Sequence, residues 1–157
     1  MKISIRKGFS FGLTSGIITT LGLIVGLHSS THSTPVVIGG ILVIAIADAL
    51  SDALGMHVSE ESENRHTTRE VWESTAVTLL SKFVFSLSFA VPVLLFPLKA
   101  AILASIAWGL FLIVLLSLHV ARVAGIRPYK PAAEHMTIAV FVIIITHYLG
   151  DWVSTLA

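Results

Sequence analysis

The sequence contains no cysteine and very little charge. The lack of cysteine excludes disulfides, thiolate metal sites and cysteine nucleophiles. Only 12% of the 157 residues are charged, whereas a soluble domain carries about 25%. So little polar surface cannot cover a water-facing globule, and the bilayer is therefore the expected solvent.

The sequence also lacks the motifs of common enzymes and nucleic-acid-binding proteins. Its apolar segments contain serines but no nucleophile elbow, and neither a His-Glu-x-x-His motif nor a phosphate-binding loop occurs. The net charge is only +1 and the basic residues are scattered, which argues against a nucleic-acid groove. We expect no enzyme activity, no cofactor and no nucleic-acid partner.

Long apolar runs are what the sequence has in abundance. Hydrophobic residues make up 55% of the chain. Five runs of about 20 residues are each long enough to cross a bilayer as a helix, the conformation that satisfies its own backbone groups in lipid. We predict an all-α polytopic membrane protein with a single transmembrane domain over 1–157. Its spans are expected at 8–27, 35–58, 75–96, 100–123 and 133–156, with a cytoplasmic linker at 59–74.

The distribution of basic residues predicts the topology. In a five-span arrangement only Lys99 falls on one side, and Lys82 lies within a span. The positive-inside rule then places the N-terminus in the cytoplasm and the C-terminus outside. The basic residues on the cytoplasmic side are Lys2, Arg6, Lys7, Arg65, Arg69, Arg122, Arg127 and Lys130.

The second span carries the clearest chemical signal. Asp48, Asp52 and Met56 are spaced i, i+4, i+8 and lie on one helix face. Glu60 and Glu63 continue that stripe and are expected to gather cations at an open cytoplasmic mouth. Two carboxylates one turn apart repel each other in lipid, and a divalent cation relieves the repulsion. Carboxylates suit Fe²⁺, Mn²⁺ or Mg²⁺, and a thioether favours a transition metal.

Lys82 in the third span leaves a second interpretation open. An intramembrane ionisable residue is functional by default, but Lys82 can also pair with Asp48 or Asp52 and simply tie two helices together. Both interpretations hold together if the lysine occupies the ion's place when the site is empty. In that case Lys82 belongs to the ion path or to proton coupling.

Two further groups complete the set of candidates. His147 and Asp151 in the fifth span are spaced i, i+4 and form a possible transition-metal pair near the outer interface. In the first span Ser15 and Thr19 offer hydroxyls as weak ligands. Three glycines recur there every four residues, which is typical of close helix packing within a chain or across a dimer. They are Gly8, Gly12 and Gly16.

Two stretches resemble the vacuolar iron transporter family. Residues 12–20 are similar to that family's Gly-x-Asn-Asp-Gly-Ile-Val-Thr-Thr signature. Residues 47–52, followed by Ser59, Ser62 and Glu63, resemble its Ala-Asp-Gly-x-Ser-Met signature with the later Ser-x-x-Ser-Glu. The resemblance implies a homodimer whose first two spans line a metal path, exporting Fe²⁺ or Mn²⁺ from the cytoplasm in exchange for protons. It also implies a compact branch without the large cytoplasmic metal-binding domain.

The sequence departs from the family pattern at three positions, one of which is Met56, where the family often has Glu or Asn. Ser15 stands where the family has a first-span aspartate, and Asp52 stands where it has a methionine, while Asp48 matches the family's second-span aspartate. The carboxylate is thus either relocated to the neighbouring helix, or the substrate or the transport itself has changed. The alternatives are a non-transporting scaffold or regulatory subunit, and a carrier of the same fold for another cation or solute. The expected location is the cell membrane in a prokaryote and a vacuolar or other organelle membrane in a eukaryote.

Overall fold

A computed structural model describes residues 3–156, and this part of the chain is a bundle of helices without strands. Five stretches are long and apolar enough to cross a membrane. The predicted all-α fold with five spans is confirmed, and the protein is a multi-pass integral membrane protein. The side on which each terminus lies stays a prediction, and Lys2 lies outside the described residues. The helices are α1 (Ile3–Thr31), α2 (Thr34–Val43), α3 (Ala49–Ser62), α4 (Thr68–Ser88), α5 (Ala90–Leu95), α6 (Leu98–Ala124) and α7 (Tyr129–Ser154).

The helices run beyond the apolar segments, most clearly at the expected linker 59–74. Helix α3 continues to Ser62 and α4 begins at Thr68, so the connection is much shorter than 16 residues. A capping box starts α4: the Thr67 hydroxyl accepts from the Glu70 N–H at 3.4 Å, and the Glu70 carboxylate accepts from the Thr67 N–H at 2.9 Å. Most of the polar residues expected in a linker therefore lie on helix ends.

Two spans are irregular inside the membrane. A π-helical turn at Ile44–Asp48 joins α2 to α3, and the Ala49 N–H bonds back to the Ile44 carbonyl five residues earlier. The third span breaks between α4 and α5. Pro92 follows this break closely, and proline has no N–H to continue the helical ladder. The π-helical turn places its last residue, Asp48, at the start of α3.

Helix α1 is the centre of the bundle and packs against α4, α7, α6 and α2. Its residues Ile17, Leu21 and Ile24 are fully buried. The three glycines predicted to mediate packing lie against α4 within the same chain. A Cβ added to Gly12 would sit 2.5 Å from the Thr78 carbonyl oxygen. The backbones of α1 and α4 therefore touch, and this closeness sets the distance between polar side chains on the two helices.

Candidate ion-binding site

A polar cluster of Lys82, Asp48 and Asp52, called the central cluster below, joins α3, α4 and the π-helical turn. Lys82 Nζ lies 2.5 Å from Asp48 Oδ2 and 2.5 Å from Asp52 Oδ2. It donates a hydrogen bond to Asp52 and forms an ion pair with the buried Asp48 Oδ2. One ammonium group thus holds both carboxylates.

Helix α1 contributes Ser15 to the same cluster. The Ser15 hydroxyl donates to Asp52 Oδ2 at 2.6 Å and accepts from Lys82 Nζ at 3.0 Å. Thr19, predicted as a second hydroxyl ligand, donates instead to the Ser15 carbonyl at 2.6 Å within its own helix. The structure therefore brings Ser15 to the site, while the Thr19 hydroxyl is used to satisfy the backbone of α1.

The exposure of these groups is uneven. The Lys82 side chain is fully buried, while 34% of the Asp48 side chain and 21% of the Asp52 side chain remain exposed in the single chain. With all three groups ionised the cluster carries a net charge of −1. Its lysine is sealed among the helices, but its carboxylates can still be reached from outside the bundle. The site is therefore only partly closed.

A buried polar stripe on α4 explains how Lys82 reaches this place. Ser74, Thr78 and Ser86 are fully buried with it at a four-residue spacing, which keeps all four on one face of α4. The Thr78 hydroxyl donates to the Gly8 carbonyl at 3.3 Å and to the Ser74 carbonyl at 2.9 Å. Hydroxyls facing the glycines of α1 therefore hold α4 in register, and Lys82 continues the same face.

The remaining residues of the predicted stripe separate from the central cluster. Met56 is buried one turn after Asp52, with 7% of its surface exposed. Glu60 is 1% exposed and forms ion pairs with Lys7 and His66, the latter at 3.3 Å. Glu60 was expected at an open, cation-gathering mouth, but its charge is matched by these neighbours.

Glu63 belongs to that second cluster and is more exposed. It accepts from Lys7 Nζ at 3.0 Å and lies 3.7 Å from His66 Nε2. The hydrogen bond from Lys7 holds the pKa of the Glu63 carboxyl below its ordinary value. Spacing in the sequence gives no sign that Lys7 meets Glu60 and Glu63, because more than 50 residues separate them.

His147 and Asp151 form a third polar cluster, at the other end of the bundle. Their side chains are about half exposed and lie 3.6 Å apart, and His147 Nδ1 is 2.5 Å from the Ser29 hydroxyl. They do not reach the central cluster, because Ser15 and Ser29 are about 21 Å apart along α1 at 1.5 Å per residue. His147 also lines a cavity of about 490 Å³ with His28 and Lys99, two neighbours that the sequence did not predict.

None of the three clusters, as the structure describes them, has the dense ligand set that is typical of a resident metal. Within residues 3–156, no group of three or more histidine, aspartate or glutamate side chains is arranged to hold a metal ion. At the centre, an incoming ion would meet two carboxylates and the Ser15 hydroxyl, with the Lys82 ammonium between them. Binding there requires the lysine to give way.

A comparison with known protein families finds a match in the first part of the chain. Residues 7–74 match the VIT family. The resemblance to the vacuolar iron transporters that the sequence predicts is thereby confirmed over this segment, which indicates a membrane metal transporter. No curated protein and no solved structure matches the chain.

The VIT match divides the central cluster. Ser15, Asp48 and Asp52 lie inside the matched segment, whereas Lys82 lies eight residues beyond its end. Two of the departures from the VIT pattern, Ser15 and Asp52, contact each other directly at 2.6 Å. The Asp52 carboxylate of α3 thus lies against the first-span position where the resemblance expects an aspartate.

Proposed function

We propose that this protein exports Fe²⁺ or Mn²⁺ from the cytoplasm in exchange for protons. The observation that supports the proposal is the position of the Lys82 ammonium between Asp48 and Asp52. A positive charge already occupies a partly accessible two-carboxylate site inside an apolar span. Intramembrane ionisable groups of this kind mark ion pathways.

Lys82 supplies a physical route to proton coupling. A divalent ion beside a charged ammonium would be repelled strongly in a low-dielectric site. If the amine gives up its proton and withdraws, the ion instead meets two carboxylates whose combined charge it neutralises. Loading then releases one proton from Lys82 Nζ, and unloading returns it. The cluster then carries a net charge of −1 when it is empty and of zero when the divalent ion is bound.

The arrangement along α1 supports a path through the bundle. The cluster of Lys7, Glu60 and Glu63 would form the cytoplasmic mouth, and His147 with Asp151 would provide exit ligands. By residue count the mouth is about 12 Å and the exit about 21 Å from Ser15 along the helix axis. Met56, buried between the mouth and the centre, would add a thioether that favours a transition metal over Mg²⁺.

We further propose that the working unit is a homodimer. The α2–α3 span exposes large apolar side chains, among them Val43, Leu50 and Leu54. The carboxylates of Asp48 and Asp52 remain partly exposed in the same span of the single chain. A second copy packed on this span would close the accessible side of the site, as the VIT resemblance implies.

A non-transporting scaffold is the second candidate. The complete burial of Lys82 favours it, because a buried lysine held by two aspartates is sufficient to tie α3 to α4 without any transport role. A carrier of the same fold for another cation or solute is a third. The partial exposure of both carboxylates favours transport, since a purely structural ion pair has no need of it.

Uptake into proteoliposomes separates these functions. We expect Asp48→Asn and Asp52→Asn each to lower Mn²⁺ and Fe²⁺ uptake at least about tenfold. A loss of about 1.4 kcal/mol in the free energy of ion binding is enough to lower the affinity tenfold. Glu134→Gln, which removes an exposed carboxylate of α7, is the matched control and should leave uptake intact. Uptake that is unchanged in both aspartate variants would exclude the carrier and leave the scaffold.

Lys82→Met tests the coupling separately. The variant loses the group that releases a proton, so uptake should no longer acidify the surrounding medium in step with metal movement. It should also be more stabilised by Mn²⁺ than the wild type, because no ammonium competes for the carboxylates. Proton release that persists in Lys82→Met would show that another group couples the ion.

A further inference from the structure

A cavity between the start of α1 and the end of α6 borders the proposed transport path only at Lys7. It measures about 370 Å³ and lies on the surface of the bundle at the same end as the α3–α4 turn. Arg6, Lys7, Ser10 and His119 supply its polar groups. Each helix presents one face to the cavity, because Arg6 and Ser10 are one turn apart on α1 and His119 and Val123 are one turn apart on α6.

The electrostatics of this cavity favour an anion. No carboxylate is among the residues that line it. The Lys7 ammonium is already matched by Glu60 and Glu63, so Arg6 is the cation left to face a ligand. A guanidinium binds phosphate oxygens through two parallel hydrogen bonds. The Ser10 hydroxyl and His119 stand nearby as further donors.

The rest of the lining is apolar and continuous with the lipid-facing surface. It consists of Ile3, Val120, Val123 and Ala124. Ile3 is 68% exposed and Val123 is 47% exposed, so the cavity opens toward lipid chains. A soluble anion would gain nothing from these walls, whereas a phospholipid can place its phosphate beside Arg6 and its acyl chain along them.

We propose that this cavity is a binding site for the headgroup of an anionic phospholipid. By the positive-inside prediction it lies in the cytoplasmic leaflet, where anionic lipids attract basic side chains at membrane-embedded helix ends. The lipid bridges α1 to α6 at the end of the bundle. This inference does not depend on metal transport.

Lipid titration of the purified protein by native mass spectrometry tests the proposal. The probes are dioleoyl phosphatidylglycerol, dioleoyl phosphatidylcholine and inorganic phosphate. We expect phosphatidylglycerol to bind at least about fivefold more tightly than phosphatidylcholine, from a contribution near 1 kcal/mol for a basic residue at the membrane surface. Arg6→Gln should abolish that preference, and Arg6→Lys should keep part of it. Inorganic phosphate should not displace the lipid.

The matched control is Arg127→Gln. It removes the same charge at the same end of the bundle, but Arg127 lies in the turn before α7, its guanidinium faces the Tyr129 hydroxyl at 3.4 Å, and it does not line the cavity. This variant should keep the phosphatidylglycerol preference. An equal loss in both variants would show a diffuse surface effect and overturn the site. So would displacement of the lipid by phosphate, or an unchanged preference in Arg6→Gln.

Discussion

Gly12→Ala tests whether direct backbone contact between α1 and α4 positions the central cluster. The new Cβ would lie 2.5 Å from the Thr78 carbonyl oxygen and 3.1 Å from Ser81 Cβ. A carbon–oxygen contact between helices normally begins at about 3.3 Å. The two helices must therefore move apart by roughly 0.8 Å, because a backbone carbonyl cannot swing aside as a flexible side chain can.

The expected change in the stability of Gly12→Ala is the sum of two opposing contributions. Overpacking of this kind costs about 1–3 kcal/mol, while alanine gains about 1 kcal/mol over glycine in a helix. Gly39→Ala isolates the second term, because nothing lies within 4 Å of a Cβ at Gly39. At about 2–4 °C per kcal/mol for a chain of this size, Gly12→Ala should melt roughly 2–12 °C below Gly39→Ala.

Thermal unfolding in one detergent, followed by circular dichroism, measures this difference. The separation of α1 from α4 should also weaken the contact of Ser15 with Lys82, so Gly12→Ala should lose metal uptake more than Gly39→Ala does. Equal melting temperatures for the two variants would refute the reasoning, since they would show that α1 and α4 are not packed backbone to backbone. Gly55→Ala, at a second open position, guards against an effect peculiar to Gly39.

Two predictions concern the end of the bundle that carries the α3–α4 turn. Glu63 has a lowered pKa because Lys7 hydrogen-bonds its carboxylate; its contribution to stability is therefore present above its unfolded pKa of about 4.5 and is lost as the pH falls through the lower folded value. The melting-temperature advantage of the wild type over Glu63→Gln should be constant near neutral pH and shrink below that range, and an advantage unaffected by acid would contradict the assigned ion pair. Thr67→Ala removes the cap of α4 and should lower the free energy of unfolding by about 0.5–2 kcal/mol, measurable by denaturant titration; Thr67→Ser keeps the hydroxyl and should restore most of that loss.

The five spans follow from the sequence because the bilayer fixes the length of an apolar helix. The helix ends do not follow from hydropathy, since polarity marks where a chain leaves lipid and not where it stops being helical. Residues 59–62 and 68–74 are mostly polar, yet all of them are helical. The Thr67-x-x-Glu70 capping box was a local signal that would have placed the start of α4 correctly.

The central cluster could be predicted only in part. Helical spacing alone puts Asp48 and Asp52 on one face, but which cation meets them depends on how α4 packs, and that is not encoded in α3. The pairing with Lys82 therefore stayed an open alternative. A usable signal was present: α4 repeats small polar residues every four positions, the same spacing as the glycines of α1.

The cluster of His147 and Asp151 was predictable for a different reason and to a different extent. His147 and Asp151 were predicted as neighbours because one helical turn separates them. Ser29 and His28 could not be assigned to them from spacing, because they lie more than a hundred residues away in the chain. The five-span topology already places the end of α1 and the end of α7 at one membrane face, which is the only indication that the sequence offers.

The π-helical turn at Ile44–Asp48 makes the length of the second span matter as much as its composition. Its five-residue hydrogen bond accommodates one residue more than a regular turn. Deleting a single residue within this turn would restore a regular α-helix and leave the residues beyond it facing their present neighbours, because the turn already absorbs the extra residue. The same deletion between Asp48 and Asp52 would instead rotate the rest of α3 by about 100° and turn Asp52, Met56 and Glu60 away from their neighbours. The span should therefore tolerate the loss of a residue within the π-helical turn far better than just after it.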